Sequence, residues 1–133
     1  MRENAEYVLY IEDDRSSMLL MRHIFRKKLP ELQLLEAVTM EEGITLMDLH
    51  RPSLILMDIQ LPGMDGYEGI ERLHSDPNTA MIPIWAISAS ALNDDVQRGL
   101  EAGFQKYLKK PLTMENFVRQ IRESLLNTEN QHL

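Results

Sequence analysis

Leu54-Ile55-Leu56-Met57-Asp58-Ile59-Gln60-Leu61-Pro62-Gly63-Met64-Asp65-Gly66 is the stretch whose reading decides the fold. An unbroken apolar run ends in one carboxylate, and a loop rich in Pro and Gly follows at once. A short run that is apolar on both faces suits a strand buried in a parallel sheet. A bare buried charge is too costly to sit in the middle of such a sheet. Asp58 is therefore expected at the strand's carboxyl end, where it meets solvent. In open α/β sheets that edge is where ligands bind.

The 133 residues fit one domain with a real core. Hydrophobic residues make up 44% and charged residues 26%, a globular balance rather than a disordered one. The formal net charge of -7 argues against a nucleic-acid surface, since phosphate binding calls for a basic patch. The absence of Cys excludes a disulfide framework or a thiolate metal site and fits a reducing, cytoplasmic setting. No apolar segment has the length of a membrane span, and residues 1–6 lack the apolar core of a secretory signal.

Outward from the central stretch, strands and helices alternate. Tyr7 to Ile11 reads as a first strand ending in Glu12-Asp13-Asp14. Ser16 or Ser17 can cap the helix that follows, Asp14 can open it, and Pro30 stops it. Leu32 to Ala37 is a second strand. Thr39 with Glu42, and Asp65 with Glu68, have capping-box spacing at the starts of the second and third helices. Ile82 to Ile87 is a fourth strand closing in Ser88-Ala89-Ser90, and a fourth helix spans about Asn93 to Ala102 with Gly103 as its C-terminal cap. Phe104 to Leu108 is a fifth strand, followed by Lys109-Lys110-Pro111 and a last helix capped by Thr113. Five such alternations predict a single α/β domain over residues 7–126, a parallel sheet with helices on both faces, and flexible termini at 1–6 and 127–133.

On that fold Glu12, Asp13, Asp58, Ser88 and Lys110 all emerge at one edge of one sheet. Each alone has an ordinary explanation: a helix cap, a turn former, a solvated charge. Together they form a chemical device. Clustered carboxylates repel, and one is pushed toward protonation. A divalent cation removes that conflict, and hard oxygen ligands favour Mg2+, or Mn2+, over Zn2+. An ion held by Asp13 and Asp58 can also grip a phosphoryl oxygen. Asp58 is then the natural nucleophile for an aspartyl-phosphate. Ser88 can donate a hydrogen bond to one phosphoryl oxygen and Lys110 supplies a compact cation to another.

At these residues the chain resembles the receiver domains of two-component response regulators. The resemblance is carried by Val8-Leu9-Tyr10-Ile11-Glu12-Asp13, by Leu54 to Asp58 with Leu61-Pro62-Gly63-Met64-Asp65-Gly66, by Ile87-Ser88-Ala89, and by Ala102-Gly103 leading to Tyr107-Leu108-Lys109-Lys110-Pro111. It implies a flavodoxin-like (βα)5 fold, doubly wound, with strand order 2-1-3-4-5. It implies Asp58 as phosphoacceptor, supplied by a sensor histidine kinase or a histidine phosphotransfer protein. It implies Mg2+ held by Glu12, Asp13, Asp58 and the backbone carbonyl of Gln60, with Asp13 the direct ligand of the acidic pair. Ser88 matches the switch hydroxyl, Lys110 the phosphate-sensing lysine, and Tyr107 the aromatic that turns inward with the switch. The Lys110-Pro111 peptide is expected to be cis, and Gln60 and Ser90 fall where the family varies its dephosphorylation rate. The fourth helix, fifth strand and fifth helix form the implied output face for a protein partner.

Glu12 stands where Asp is frequent, and its longer side chain favours a water-bridged role. Trp85 is large for its strand and is read as core. The expected function is phosphorylation-controlled signalling, with no turnover of a free metabolite beyond the domain's own phosphoryl transfer and autodephosphorylation. Two other readings stand beside it. An aspartyl phosphohydrolase of the haloacid dehalogenase kind wants a second acid where Gln60 stands, and a cap domain for which no segment is available. A receiver-shaped scaffold that is never phosphorylated would not need the full acceptor set. The residues fit either a single-domain regulator or the receiver segment of a hybrid histidine kinase.

Overall fold

In the computed structural model, which describes residues 6–61, 63–90 and 92–126, five parallel strands are hydrogen-bonded in the order 2-1-3-4-5. The strands are β1 (Glu6–Ile11), β2 (Leu32–Ala37), β3 (Leu54–Asp58), β4 (Ile84–Ser88) and β5 (Lys106–Lys109). The helices between and after them are α1 (Arg15–Lys28), α2 (Met40–His50), α3 (Gly66–His74), α4 (Asn93–Ala102) and α5 (Met114–Ile121), the last continuing into a π-helical turn over Arg122–Leu126. The order is the one the resemblance to receiver domains implies. Residues 1–5 and 127–133, part of the expected flexible termini, lie outside the described residues, whereas Glu6 already pairs with Leu32 in the sheet.

Alternation along the strands divides the core in two. Val8, Tyr10, Leu54, Leu56, Trp85 and Ile87 face one way, against Met21, Ile24 and Phe25 of α1 and Phe117 and Ile121 of α5. Leu9, Ile11, Ile55, Met57, Ile84 and Ala86 face the other way, against Met40 and Met47 of α2 and Ile70 and Leu73 of α3. Residues two apart in a strand share a face, so both layers come from the same strands. All five residues of β3 are buried, as a central strand with helices above and below requires. Trp85 belongs to this core; its Nε1 donates to Gln105 Oε1 at 2.8 Å.

Local chemistry sets the element ends, in places differently from the sequence expectation. Asp14, not Ser16 or Ser17, caps α1: its carboxylate accepts from Ser17 N at 2.9 Å and from Ser17 Oγ at 2.8 Å. At α3 the capping box is complete, with Asp65 and Glu68 each accepting the other's backbone N–H. At α2 Thr39 accepts from Glu42 N, but Glu42 reaches one residue further back, to Val38 N. Thr113 occupies the N-cap position of α5 without a side-chain bond. β4 starts at Ile84 rather than Ile82, because the Ile82 N–H is drawn into a turn on Thr79 O and Pro83 has no N–H to give. β5 starts two residues later than expected because Gly103 N bonds Leu100 O and Phe104 N bonds Gly99 O, a Schellman ending that commits Phe104 to the helix cap.

Gly66 fixes how the loop after β3 returns to the sheet. Its N–H donates to Ile59 O at 2.8 Å, and a Cβ there would lie 2.7 Å from Ile59 Cα. That neighbour is backbone and cannot step aside. Gly66→Ala is therefore expected to lower stability by roughly 1–3 kcal/mol, as overpacking against a fixed wall does. In urea denaturation the midpoint should fall with an unchanged slope; an unchanged midpoint would show that the loop yields freely.

Candidate functional site

Sheet register puts the polar residues together. Tyr10 pairs with Leu56 in the β1–β3 ladder, so Glu12, two residues on, lies beside Asp58 at the same edge. Asp58 pairs with Ile87 and Ser88 with Lys109, which brings Ser88 and Lys110 to that edge as well. Glu12 is fully buried, Asp58 and Ser88 are nearly so, and Asp13 is exposed. Glu12, Asp13 and Asp58 each offer one carboxylate oxygen, and these atoms lie within 4.8 Å of one another.

Lys110 holds this cluster together. Its Nζ lies 2.7 Å from Glu12 Oε1 and 3.2 Å from Asp58 Oδ2. Glu12 Oε1 also accepts from the Tyr10 hydroxyl at 2.8 Å, and Glu12 Oε2 accepts from Asp14 N at 3.0 Å. Asp58 Oδ1 accepts from Gln60 N at 3.0 Å. The two oxygens of Asp58 are thus held differently: Oδ1 by backbone, Oδ2 by a side chain that can move away. The Lys110–Pro111 peptide is cis, as the sequence resemblance implies.

The electrostatics follow from burial and crowding. Burial, then the adjacent Glu12, push the Asp58 carboxyl from its ordinary 3.8 up to about 6, while the Gln60 N–H and Lys110 pull the other way. For Glu12 burial acts upward too, but hydrogen bonds from Asp58, Lys110, Asp14 N and Tyr10 outweigh it and hold the carboxyl below its usual range. Of the two acids, Asp58 therefore keeps the proton and Glu12 stays anionic. Lys110 is held charged, because its bonds to Glu12 and Asp58 outweigh the effect of its burial. The Tyr10 hydroxyl is kept protonated by burial first and by the Glu12 charge second.

A cleft of about 540 Å³ opens beside this cluster, lined by Asp13, Gln60, Ser88, Ser90, Arg98 and Tyr107 among others. Ser88 Oγ accepts from Ser90 N at 3.2 Å. The Ser90 hydroxyl donates to Asp95, and the Tyr107 hydroxyl donates to Ser90 O at 3.2 Å. Tyr107 is half-buried, its ring lying where a Cβ on Gly99 would be, 2.7 Å away. The Arg98 guanidinium sits 4.0 Å from the Tyr67 ring centroid across the cleft. The structure thus brings Glu12, Asp58 and Lys110 into contact, with a carboxylate oxygen of Asp13 within 4.8 Å of those of the other two acids. Gln60, Ser88, Ser90 and Tyr107 form the rim.

The sequence alone does not single out Tyr10 from the strand Tyr7–Ile11. The period of two that puts Tyr10 and Glu12 on one face was the available signal. Nor does the sequence single out Arg98 and Asp95, whose place depends on how α4 packs.

The donor set fits a small, hard dication. It is all oxygen, it converges, and it carries a like-charge conflict that a 2+ ion would relieve. In the metal-free protein, burial of Asp58 and that conflict together have a measurable cost. A group whose folded pKa is raised loses stability as pH rises from its unfolded value through its folded one. For Asp58 that window runs from 3.8 to about 6. Asp58→Asn, without Mg2+, is expected to be more stable than wild type by roughly 1–3 kcal/mol at pH 7.5. The gain should shrink below about 1 kcal/mol at pH 4. Paired denaturation curves at the two pH values check this, and a pH-independent difference would contradict it.

Comparison with known proteins gives one consistent answer. Residues 8–122 match the family model of the response regulator receiver domain. The polar-differentiation response regulator DivK of Brucella anthropi is 34% identical over 121 residues, covering 89% of this chain and 94% of DivK. The receiver domain of a sensor histidine kinase from Pseudomonas aeruginosa PAO1, solved with a magnesium ion coordinated in its active-site cleft, is 25% identical, with a TM-score of 0.79 over 90% of this chain and 97% of that one. A response regulator structure from Chloroflexus aurantiacus J-10-fl, also 25% identical, superposes with a TM-score of 0.83 over 92% and 98% of the two chains.

Proposed function

This chain belongs to the response regulator receiver domain family, and from that membership and the geometry of the acidic edge we propose how it carries phosphorylation-controlled signalling. Residues 7–126 are the receiver domain. Asp58 is the phosphoacceptor, and it takes the phosphoryl group from a phosphohistidine on a histidine kinase or a phosphotransfer protein, the partners of receiver domains in general. The single observation that carries this is the Asp58 carboxyl, nearly buried, hydrogen-bonded by Gln60 N and touched by Lys110.

Oδ2 is the attacking oxygen, since Oδ1 is committed to backbone. The Oδ2–P bond forms as the P–N bond to the donor imidazole breaks, and the electron pair of that bond leaves with the nitrogen. Asp58 attacks as the anion, the form that predominates above about pH 6, so no proton is transferred in the step. Mg2+, or Mn2+, would be held by Asp13, Asp58 and the Gln60 carbonyl, and would supply charge neutralisation at the phosphoryl oxygens. Glu12, with both oxygens already engaged, would reach the ion only through water. Lys110 pairs with one phosphoryl oxygen and Ser88 donates to another, the negative charge of the product drawing both. Movement of Ser88 loosens its bond with Ser90 N and thereby the Tyr107–Ser90 contact, which alters the face formed by α4, β5 and α5. Lys106 Nζ, bonded to Gln120 Oε1 at 3.0 Å, ties β5 to α5 in that face. A protein partner reads that face, and the domain binds no nucleic acid.

Gln60 and Ser90 set how fast the phosphate is lost, Gln60 by orienting the attacking water. Among the described residues no helix is long and apolar enough to cross a membrane, and a cytoplasmic setting suits a phosphohistidine donor. Incubation with acetyl phosphate and Mg2+ should add one phosphoryl mass to wild type and none to Asp58→Asn by intact-protein mass spectrometry. Labelling of both, or of neither, would refute the assignment. Gln60→Ala should lengthen the phosphate lifetime by roughly two- to tenfold, the scale of losing one positioning hydrogen bond; an unchanged lifetime would remove Gln60 from the hydrolysis step.

A further inference from the structure

We propose that Tyr10 is a positioning residue of the phosphorylation site: its buried hydroxyl keeps Glu12 paired when Lys110 leaves Glu12 for the phosphoryl group. This rests on the reading of Asp58 as phosphoacceptor. Glu12 is fully buried, and Tyr10 is 1% exposed beneath it. Two donors share Glu12 Oε1, the Lys110 ammonium at 2.7 Å and the Tyr10 hydroxyl at 2.8 Å. The ammonium also touches Asp58 Oδ2 at 3.2 Å. A phosphoryl group on Oδ2 would fill the space that Nζ now occupies, so the ammonium must withdraw and re-engage on phosphoryl oxygen. Oε1 then loses its charged partner while the Glu12 side chain stays buried.

A buried carboxylate oxygen left without a donor is expensive, more so than an unpaired neutral group. Tyr10 prevents that. It is fixed by strand geometry on the same face as Glu12, and its ring sits in the core layer below. It does not compete for Asp58, and it moves with neither the loop after β4 nor that after β5. The oxygen thus has one donor that comes and goes and one that stays. With Phe at this position the ring packing is kept and the permanent donor is lost. Lys110 would then be the last donor on Oε1 and would be held back from the phosphoryl group.

The test separates the two binding events. Titration with Mg2+ alone leaves Lys110 on Glu12, whereas titration with beryllium fluoride in the presence of Mg2+, a mimic of the phosphoryl group on carboxylate, requires Lys110 to move. Tyr10→Phe is expected to keep Mg2+ affinity within about twofold of wild type and to weaken beryllium fluoride binding by roughly tenfold, as loss of a hydrogen bond to a charged group does. Circular dichroism and thermal melts identify any variant that fails to fold, and Tyr10→Trp, which restores a ring N–H donor, offers a second route by partial rescue. Equal weakening of both titrations would make Tyr10 a structural residue only and overturn the inference, as would no effect on either. If wild type itself fails to take up beryllium fluoride with Mg2+, it is the reading of Asp58 that fails, a result distinct from either of these.

Discussion

One ammonium group sits between two buried carboxylates, and the site depends on it. Lys110 Nζ bridges Glu12 and Asp58 at 2.7 and 3.2 Å. Neither acid is free to relax into water, since Glu12 is wholly buried and Asp58 6% exposed. Burying such a group of charges seldom stabilises a fold compared with apolar packing. Burial first, and then the adjacent Glu12, drive the Asp58 carboxyl up to about 6. An arrangement this unfavourable persists because the scaffold over-determines it. We propose that its chemical use is to receive further charge: a dication, and through it a phosphoryl group.

The scaffold does this with register rather than with special local structure. Parallel pairing of β1 with β3, and of β3 with β4 and β5, brings the ends of four strands to one edge. Helices on both faces remove water from the sides of that edge but not from its rim. Two apolar layers, one under α1 and α5 and one under α2 and α3, supply the burial energy that offsets the polar edge. The return loop after β3 is pinned by Gly66 against Ile59, which fixes the backbone N–H of Gln60 on Asp58. Function and fold are thus coupled through backbone hydrogen bonds, and few side chains are free to vary the geometry.

Much of this was legible in the sequence because its causes are local or periodic. The apolar run Leu54–Met57 ending in Asp58, the box at Asp65 and Glu68, and Gly103 after α4 each carry their own mechanism, and the structure has all three. The meeting of Glu12, Asp58, Ser88 and Lys110 at one edge was legible because strand ends in a parallel sheet converge. What escaped depended on competition between neighbours. Asp14 outcompetes Ser16 and Ser17 for the α1 cap because its carboxylate reaches both the N–H and the hydroxyl of Ser17. The starts of β4 and β5 shift because Ile82 and Phe104 spend their N–H groups on turns and caps that propensity does not reveal. Tyr10 looked like one more apolar strand residue, since nothing in composition says whether a tyrosine hydroxyl ends against a carboxylate or in solvent. Arg98 and Asp95 reach the cleft only through the packing of α4, a tertiary fact.

The central claim is that the crowded carboxylates form a cation site completed by Asp13. Direct calorimetric titration with Mg2+ at neutral pH tests it most plainly. The account predicts one saturable ion per chain, and an affinity at least about tenfold weaker in Asp13→Asn, as loss of a charged ligand entails. Saturable binding that survives Asp13→Asn unchanged, or no saturable binding to the wild-type chain, would contradict it.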